Sequence, residues 1–281
     1  MIFWFRMIGL LTLWMIVHDL YRRGGVALLL AIVLIPILLL LMPGWLRMRR
    51  RNLCCGSPHS TGNLRERATT DQRSELNMST EADRIEAAHD ALGHTLGWRF
   101  LTCPEKNFEG AKLLLVTLNP AGNRRHGPSW SQESGSAYVV ESWNGQQPGA
   151  DPLQRQIQKL FAFLGYTAKD VASAHFIPFR SPRWADLGNK KQSIAFARGL
   201  WTELLQRVRP AVVVCVGHET GRQLASLVGI SLRPMPTGWG AYTLLRGDLP
   251  GGRPFVALPH LSTFKLFGSA KYEPFLRDAF E

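Results

Sequence analysis

Cysteine is scarce in this chain of 281 residues, and the four copies form no metal-binding pattern. They are Cys54, Cys55, Cys103 and Cys215, and no Cys-x-x-Cys pair occurs among them. Structural zinc sites and iron–sulfur clusters are commonly held by such pairs, so the sequence supports neither and predicts no metal. The scarcity of cysteine also fits a reducing compartment.

Acidic residues are also few, because 21 Asp and Glu face 33 Lys and Arg and leave a net charge of +12. Residues 1–77 hold 10 basic and 4 acidic residues, and residues 78–281 hold 23 and 17, so the two parts share the excess equally. A basic globular part has two interpretations. It either binds an anionic partner such as nucleic acid or is merely soluble and cationic.

Charge is absent from residues 26–46, an apolar run of 21 residues that is long enough to cross a bilayer as a helix. Four arginines follow within residues 47–51 and favour a cytoplasmic location for everything downstream. Residues 1–17 are apolar apart from Arg6 and predict a second span or an interfacial anchor. No small-x-small pattern separates the two runs, so a cleaved signal peptide is not expected. We therefore interpret residues 1–51 as a membrane anchor.

A polar segment separates this anchor from a globular region. Residues 52–77 are rich in Ser, Thr, Asn, Gly and Arg, a composition typical of a flexible linker. Residues 78–281 predict a folded domain, which we expect to be monomeric, and Ser79 or Thr80 can cap its first helix. An alternative is that Met78 is the true initiator. The protein would then be soluble and cytoplasmic, with no anchor.

Helix and strand patterns alternate through residues 78–281. The unbroken apolar run at Val213–Val216 is typical of a strand buried on both faces of a parallel sheet. Together these patterns predict an α/β fold, a three-layer αβα sandwich with a central, mostly parallel sheet. Helices are expected over 82–96, 152–165, 190–208 and 219–228, and strands over 112–118, 174–179, 211–216, 242–245 and 255–258.

Polar residues stand at the ends of two predicted strands. Asn119 directly follows the predicted strand over 112–118. His260 and Ser262 follow the last predicted strand, over 255–258. Ligands of open parallel sheets bind in the crevice beyond the carboxyl ends of the strands. These side chains therefore make one candidate site.

The order of these motifs resembles the uracil-DNA glycosylase superfamily over residues 98–275. The run Asn119-Pro120-Ala121-Gly122 is similar to the Asn-Pro-Gly motif of the mismatch-specific and single-strand-selective branches, with one Ala inserted. The run Pro259-His260-Leu261-Ser262 is similar to the family's His-Pro-Ser motif, with Leu261 in place of proline. Between these two motifs, residues 176–182 and 212–217 follow in the order that is similar to the family's.

The resemblance implies a monofunctional DNA glycosylase without a cofactor, acting on uracil or a related damaged or mismatched base in single- or double-stranded DNA. Such enzymes flip the base out of the stack. Asn119 would hold the attacking water, and His260 would donate to the base oxygen where negative charge develops. The other implied contacts are Pro120, Ala121, Gly122, Trp130, Tyr138 and His175 for the base, and Ser262, Phe264 and Lys265 for the DNA phosphates and the wedge.

Two features leave the function open. His175 stands where the family offers an asparagine to read the pyrimidine edge, and histidine can donate or accept a hydrogen bond. The stacking aromatic could be Trp130, Tyr138 or Trp143. The competing hypothesis is a non-catalytic module that binds nucleic acid or a nucleotide on the same fold. A uracil-release assay on purified protein separates the two.

Overall fold

The computed structural model describes residues 81–281, which form an α/β fold around one six-stranded sheet. Three of the strand pairings are parallel and two are antiparallel. In chain order the elements are α1 (residues 81–91), β1 (Leu113–Thr117), α2 (Ala137–Val140), α3 (Pro152–Phe163), β2 (Val171–His175), α4 (Lys190–Arg207), β3 (Val212–Val216), α5 (His218–Val228), β4 (Arg233–Pro236), β5 (Thr243–Leu249), β6 (Arg253–Leu258) and α6 (Glu273–Phe280).

The sheet has the strand order β2-β1-β3-β6-β5-β4, and its first four strands are parallel. In the sheet, β2 lies on one side of β1 and β3 lies on the other side of β1. The strand order therefore reverses between β1 and β3. In open α/β sheets this reversal creates a crevice at the carboxyl ends of the strands.

Helices cover both faces of the sheet, an arrangement compatible with a three-layer sandwich. Leu113 and Leu115 point to one face, where α3 and α6 pack, and we call this the α3/α6 face. Leu114 and Val116 point to the other, the α4/α5 face, where α1, α4 and α5 pack. Strand residues alternate between faces with a period of two, so β1 contributes to both cores.

The outer edge of β2 is covered by residues 98–102. The backbone N–H of Thr102 donates to the Ser173 carbonyl at 2.8 Å, and the N–H of His175 donates to the Phe100 carbonyl at 2.9 Å. An uncovered edge would offer unpaired backbone groups to other chains. The covering segment also brings its own side chains next to the end of β2.

The predicted alternation of helices and strands is present, but several boundaries differ. The first helix ends at residue 91 rather than 96, since the chain turns at Gly93 with a φ of 68°. The strand expected over 174–179 lies at Val171–His175. Phe176 and Phe179 are buried core residues that lie outside the strand, so their apolar pattern misled the prediction. The prediction missed α2, α6 and β4, and β4 contains two prolines, which only an edge strand tolerates.

The predicted anchor (residues 1–51), linker (residues 52–77) and alternative start at Met78 lie outside the described residues. Between residues 81 and 281, no helix is both long enough and apolar enough to cross a membrane.

Two helical glycines provide a matched test of how closely α5 packs on the sheet. A Cβ at Gly221 of α5 would lie 2.2 Å from the Ala257 Cβ of β6, whereas a Cβ at Gly199 of α4 would meet nothing within 4 Å. We expect Gly221→Ala to lower the free energy of unfolding by about 1 to 3 kcal/mol. Gly199→Ala should leave it unchanged or raise it by about 0.4 to 1 kcal/mol. Urea unfolding measures both, and equal effects would contradict the packing described.

Candidate functional site

The four parallel strands end on one shared rung of the sheet. Thr117 of β1 pairs with His175 of β2 on one side and with Val216 of β3 on the other, and Val216 pairs with Leu258 of β6. Asn119 and His260 each come two residues after this rung. Adjacent strands are about 4.8 Å apart, so β1 and β6 are separated by about 10 Å, with β3 between them. We call Asn119, His175 and His260 the strand-end group.

The turn after β1 fixes the orientation of the Asn119 amide. The Asn119 Nδ2 donates to the Ser181 Oγ at 2.9 Å and to the Phe179 carbonyl at 3.3 Å. The Ser181 N–H in turn donates to the Pro120 carbonyl at 3.1 Å. Because acceptors surround the nitrogen, the amide oxygen points elsewhere, and no hydrogen bond to it occurs within residues 81–281. Asn119 therefore presents a free acceptor at the end of β1.

His260 is oriented by the residues that follow it. Its Nδ1 lies 2.7 Å from the Ser262 Oγ, and its carbonyl accepts the backbone N–H groups of Thr263 and Phe264. His260 is exposed, but the protein around its ring partly desolvates it and lowers its pKa, so the neutral form predominates at pH 7. If the Ser262 hydroxyl donates to Nδ1, the proton of the neutral ring is on Nε2. His260 then has a donor available to a ligand.

His175 is half-buried and lies at the end of a polar network on the α3/α6 face. Its Nδ1 lies 2.7 Å from the Thr117 Oγ1. The side chains of Thr117 and Thr102 hydrogen-bond the hydroxyl of Tyr138, and the Thr102 Oγ1 donates to the Ser173 Oγ at 2.8 Å. Burial, and secondarily the charges of nearby arginines, lower the pKa of His175 to about 3. The imidazole is therefore neutral at pH 7.

Two arginines account for the positive charge near His175. Arg99 makes a two-pronged ion pair with Glu141, with nitrogen–oxygen distances of 3.0 and 2.6 Å. Burial alone would raise the pKa of Glu141, but hydrogen bonds from Arg99 and Trp143 lower it to about 2. Arg180 donates to the Ala121 carbonyl, and its Nε is buried with no hydrogen-bond partner in the described part of the chain. Arg180 thus packs against the turn that carries Asn119.

The structure brings some of the predicted base-binding residues together and separates others. Tyr138 lies beside Thr117 and is buried, so it contacts the network through its hydroxyl. Trp143 packs edge-on against Tyr138, with ring centroids 5.5 Å apart. Trp130 instead packs on the α4/α5 face, where it stacks on Phe100 and donates to Glu105. The structure therefore does not bring Trp130 to the strand-end group.

The predicted DNA-contacting residues follow His260. Ser262 and Lys265 are exposed. Phe264 is half-buried, and its ring lies 4.4 Å from that of Tyr242 and 6.0 Å from that of Trp239. Pro120 is buried beneath the first turn, whereas Ala121 and Gly122 are exposed on it.

Sequence reasoning missed two side chains that hold the turn after β1 and one further strand-end histidine. Ser181 and Arg180 lie in the run Phe-Arg-Ser-Pro. Ser181 accepts a hydrogen bond from the Asn119 amide, and Arg180 donates to the Ala121 carbonyl. His218 follows β3 and also comes two residues after the shared rung, and its Nε2 lies 2.9 Å from the Thr243 carbonyl. Its position at a strand end was the available signal.

The lowered pKa of His175 predicts acid sensitivity. Unfolded histidine takes up a proton near pH 6.5, whereas folded His175 stays neutral down to about pH 3. The unfolded state therefore binds more protons than the folded state below pH 6.5. The free energy of unfolding decreases as the pH is lowered. Between pH 7.5 and 5.5 this one group costs about 1.4 kcal/mol. Urea unfolding measures the decrease in the free energy of unfolding between the two pH values. We expect this decrease to be smaller than in wild type by about that amount in His175→Gln, and equal to wild type in the exposed His126→Gln. An equal drop in wild type and His175→Gln would contradict the assignment of a neutral imidazole to folded His175.

The chain was compared with models of known protein families and with curated proteins. No family model matches it, and no curated protein does.

Proposed function

We propose that the protein is a monofunctional DNA glycosylase, which hydrolyses the bond between deoxyribose and uracil or a related damaged or mismatched base. One observation carries the proposal. Asn119 and His260 stand two residues beyond the same rung, and β3 separates the strands from which they extend. An acceptor and a donor held at this spacing suit a base and its sugar between them.

The chemistry assigns a different task to each side chain. Hydrolysis breaks the bond between the sugar C1′ and the base nitrogen, and the bonding electrons stay on the base. A new bond forms from water to C1′, and the proton that the water loses ends on the departing base. The Asn119 oxygen accepts a hydrogen bond from that water and positions it. The His260 Nε2 donates to the base oxygen that gains charge. A positioned donor of this type contributes about 2.7 to 4 kcal/mol to stabilisation of the transition state.

We assign the reading of the base edge to His175. Its Nδ1 is bonded to Thr117, which leaves Nε2 to contact the base. As a neutral ring it offers one donor or one acceptor, whereas an asparagine offers both. Uracil is therefore one candidate among several bases with a matching edge. Trp143, the more exposed partner of Tyr138, is the aromatic residue best suited to stack on the flipped base.

The remaining assignments concern DNA and location. Lys265 would contact the DNA phosphates, and the Ser262 hydroxyl would hydrogen-bond the His260 Nδ1 and orient the ring. The excess of 23 basic over 17 acidic residues in residues 78–281 supports an anionic partner. The proposal includes the uracil-DNA glycosylase-like form of the three-layer fold. It also includes a monomer with a cytoplasmic domain, anchored through residues 26–46 if translation starts at Met1.

The primary test is release of a base from DNA. The purified full-length chain is incubated with single- and double-stranded DNA that contains uracil or a mismatch, and abasic sites are then measured. We expect slow release that falls at least about tenfold in Asn119→Ala and in His260→Ala, because each removes one transition-state contact. The exposed His126→Ala is the control and should retain full activity. Equal activity in wild type and both variants would rule out the mechanism, and DNA binding without any release would favour a non-catalytic module.

A second test addresses the orientation of Asn119. Ser181→Ala removes the acceptor that holds the Asn119 nitrogen, so the amide can rotate and mispositions the water. We expect kcat to fall about tenfold with little change in KM. Ser181→Thr, which keeps the hydroxyl, should restore activity, and the exposed Ser134→Ala should behave like wild type. A Ser181→Ala enzyme with unchanged kcat would show that the amide does not need this contact.

A further inference from the structure

One well-formed cavity lies away from the strand-end group. Its volume is about 450 Å³, and its lining includes the start of the described helix α1, the end of α4 and parts of the segments at 100–109 and 130–133. Several of its apolar lining residues belong to the core on the α4/α5 face, whereas His175 lies on the α3/α6 face. The cavity is therefore separate from the proposed glycosylase site.

Aromatic side chains form one wall of the cavity. The rings of Phe100 and Trp130 stack with centroids 5.2 Å apart. The Trp130 Nε1 donates to the Glu105 Oε2 at 2.7 Å, which fixes both the indole and the carboxylate. This wall thus places the apolar rings of Phe100 and Trp130 next to the oriented carboxylate of Glu105.

Glu81 lines the cavity with an unsatisfied oxygen. The residue is 7% exposed, and its Oε1 accepts a hydrogen bond from Arg207 at 2.9 Å. Its Oε2 is buried and has no hydrogen-bond partner among residues 81–281. A buried acceptor atom that receives no hydrogen bond is unfavourable. A donor bound in the cavity would satisfy this atom.

The charge of the lining points to a cation. The cavity lining includes four carboxylates and two basic side chains, Lys106 and Arg207, although the whole chain carries a net charge of +12. Burial raises the pKa of both Glu81 and Glu105, so the charged form of each would gain from a cationic neighbour. The four carboxylates belong to Glu81, Glu105, Glu109 and Glu133.

We propose that this cavity binds a small organic ammonium ion, whose NH₃⁺ group donates to the Glu81 Oε2 while its alkyl chain lies against Phe100 and Trp130. Within residues 81–281, no three acidic, histidine or cysteine side chains are placed to hold a metal ion, which favours an organic cation. Ammonium groups are attracted to aromatic faces, and alkyl stems pack on apolar walls. The cavity volume lies within the range of small-molecule sites.

The test uses 1,4-diaminobutane as the probe and calorimetry on the full-length chain. We expect saturable binding that Glu81→Gln weakens at least about tenfold, since the amide keeps the shape and loses the charge. Glu105→Gln, which still offers Trp130 an acceptor oxygen, should weaken it as well. The matched control is Glu203→Gln, which replaces an exposed carboxylate outside the cavity and should bind like wild type.

Two further probes separate charge from shape. The uncharged 1,4-butanediol and magnesium chloride should both give no saturable binding. Unfolding midpoints of the variants check that each is folded, and Glu105→Gln provides the readout if Glu81→Gln does not fold. Equal affinity for wild type, Glu81→Gln and Glu105→Gln, or equal affinity for the diol, would overturn the proposal. Because the cavity and the strand-end group share no residue, loss of base release in Asn119→Ala should leave diamine binding intact.

Discussion

The register of the four parallel strands is the constraint on which the rest of the site depends. Thr117, His175, Val216 and Leu258 lie side by side because apolar residues on both faces of β1 and β3 fix how these strands slide against their neighbours. A slip of one residue would move every side chain of a strand to the opposite face. The turns that carry Asn119 and His260 would then leave the strands at different heights. Packing far from the crevice therefore determines where the polar groups stand.

The end of this rung is polar, although it borders the core. Ser173, Thr102, Tyr138 and Thr117 form a chain of hydroxyls that leads to His175. Buried polar groups are tolerated when their hydrogen bonds are made, and a satisfied network holds its members in one arrangement. The same burial keeps the His175 imidazole neutral. Its position and its protonation state thus have one physical cause.

The sequence predicted the alternation of elements and the two turns of the site, because apolar runs that end in polar turns are local patterns. It also predicted that Asn119 and His260 follow strand ends. It could not predict that residues 98–102 cover the edge of β2, since that contact joins segments about 70 positions apart. The side on which Trp130 packs was hidden for a similar reason, because its partners Phe100 and Glu105 are 30 and 25 positions away. Local patterns locate strand ends, whereas tertiary contacts determine which aromatic reaches them.

Two of the three departures from the family's motifs, Ala121 and Leu261, have structural counterparts that fit the proposed mechanism. Ala121, the inserted residue, is exposed, and its carbonyl accepts a hydrogen bond from Arg180, so the longer turn is tied to the segment that carries Ser181. Leu261 is fully buried on the α3/α6 face, directly after His260. A buried leucine anchors a turn through apolar contacts, where a proline would restrict the backbone through its ring. Both replacements therefore offer another way to hold a turn, and neither removes a group that the proposed chemistry requires.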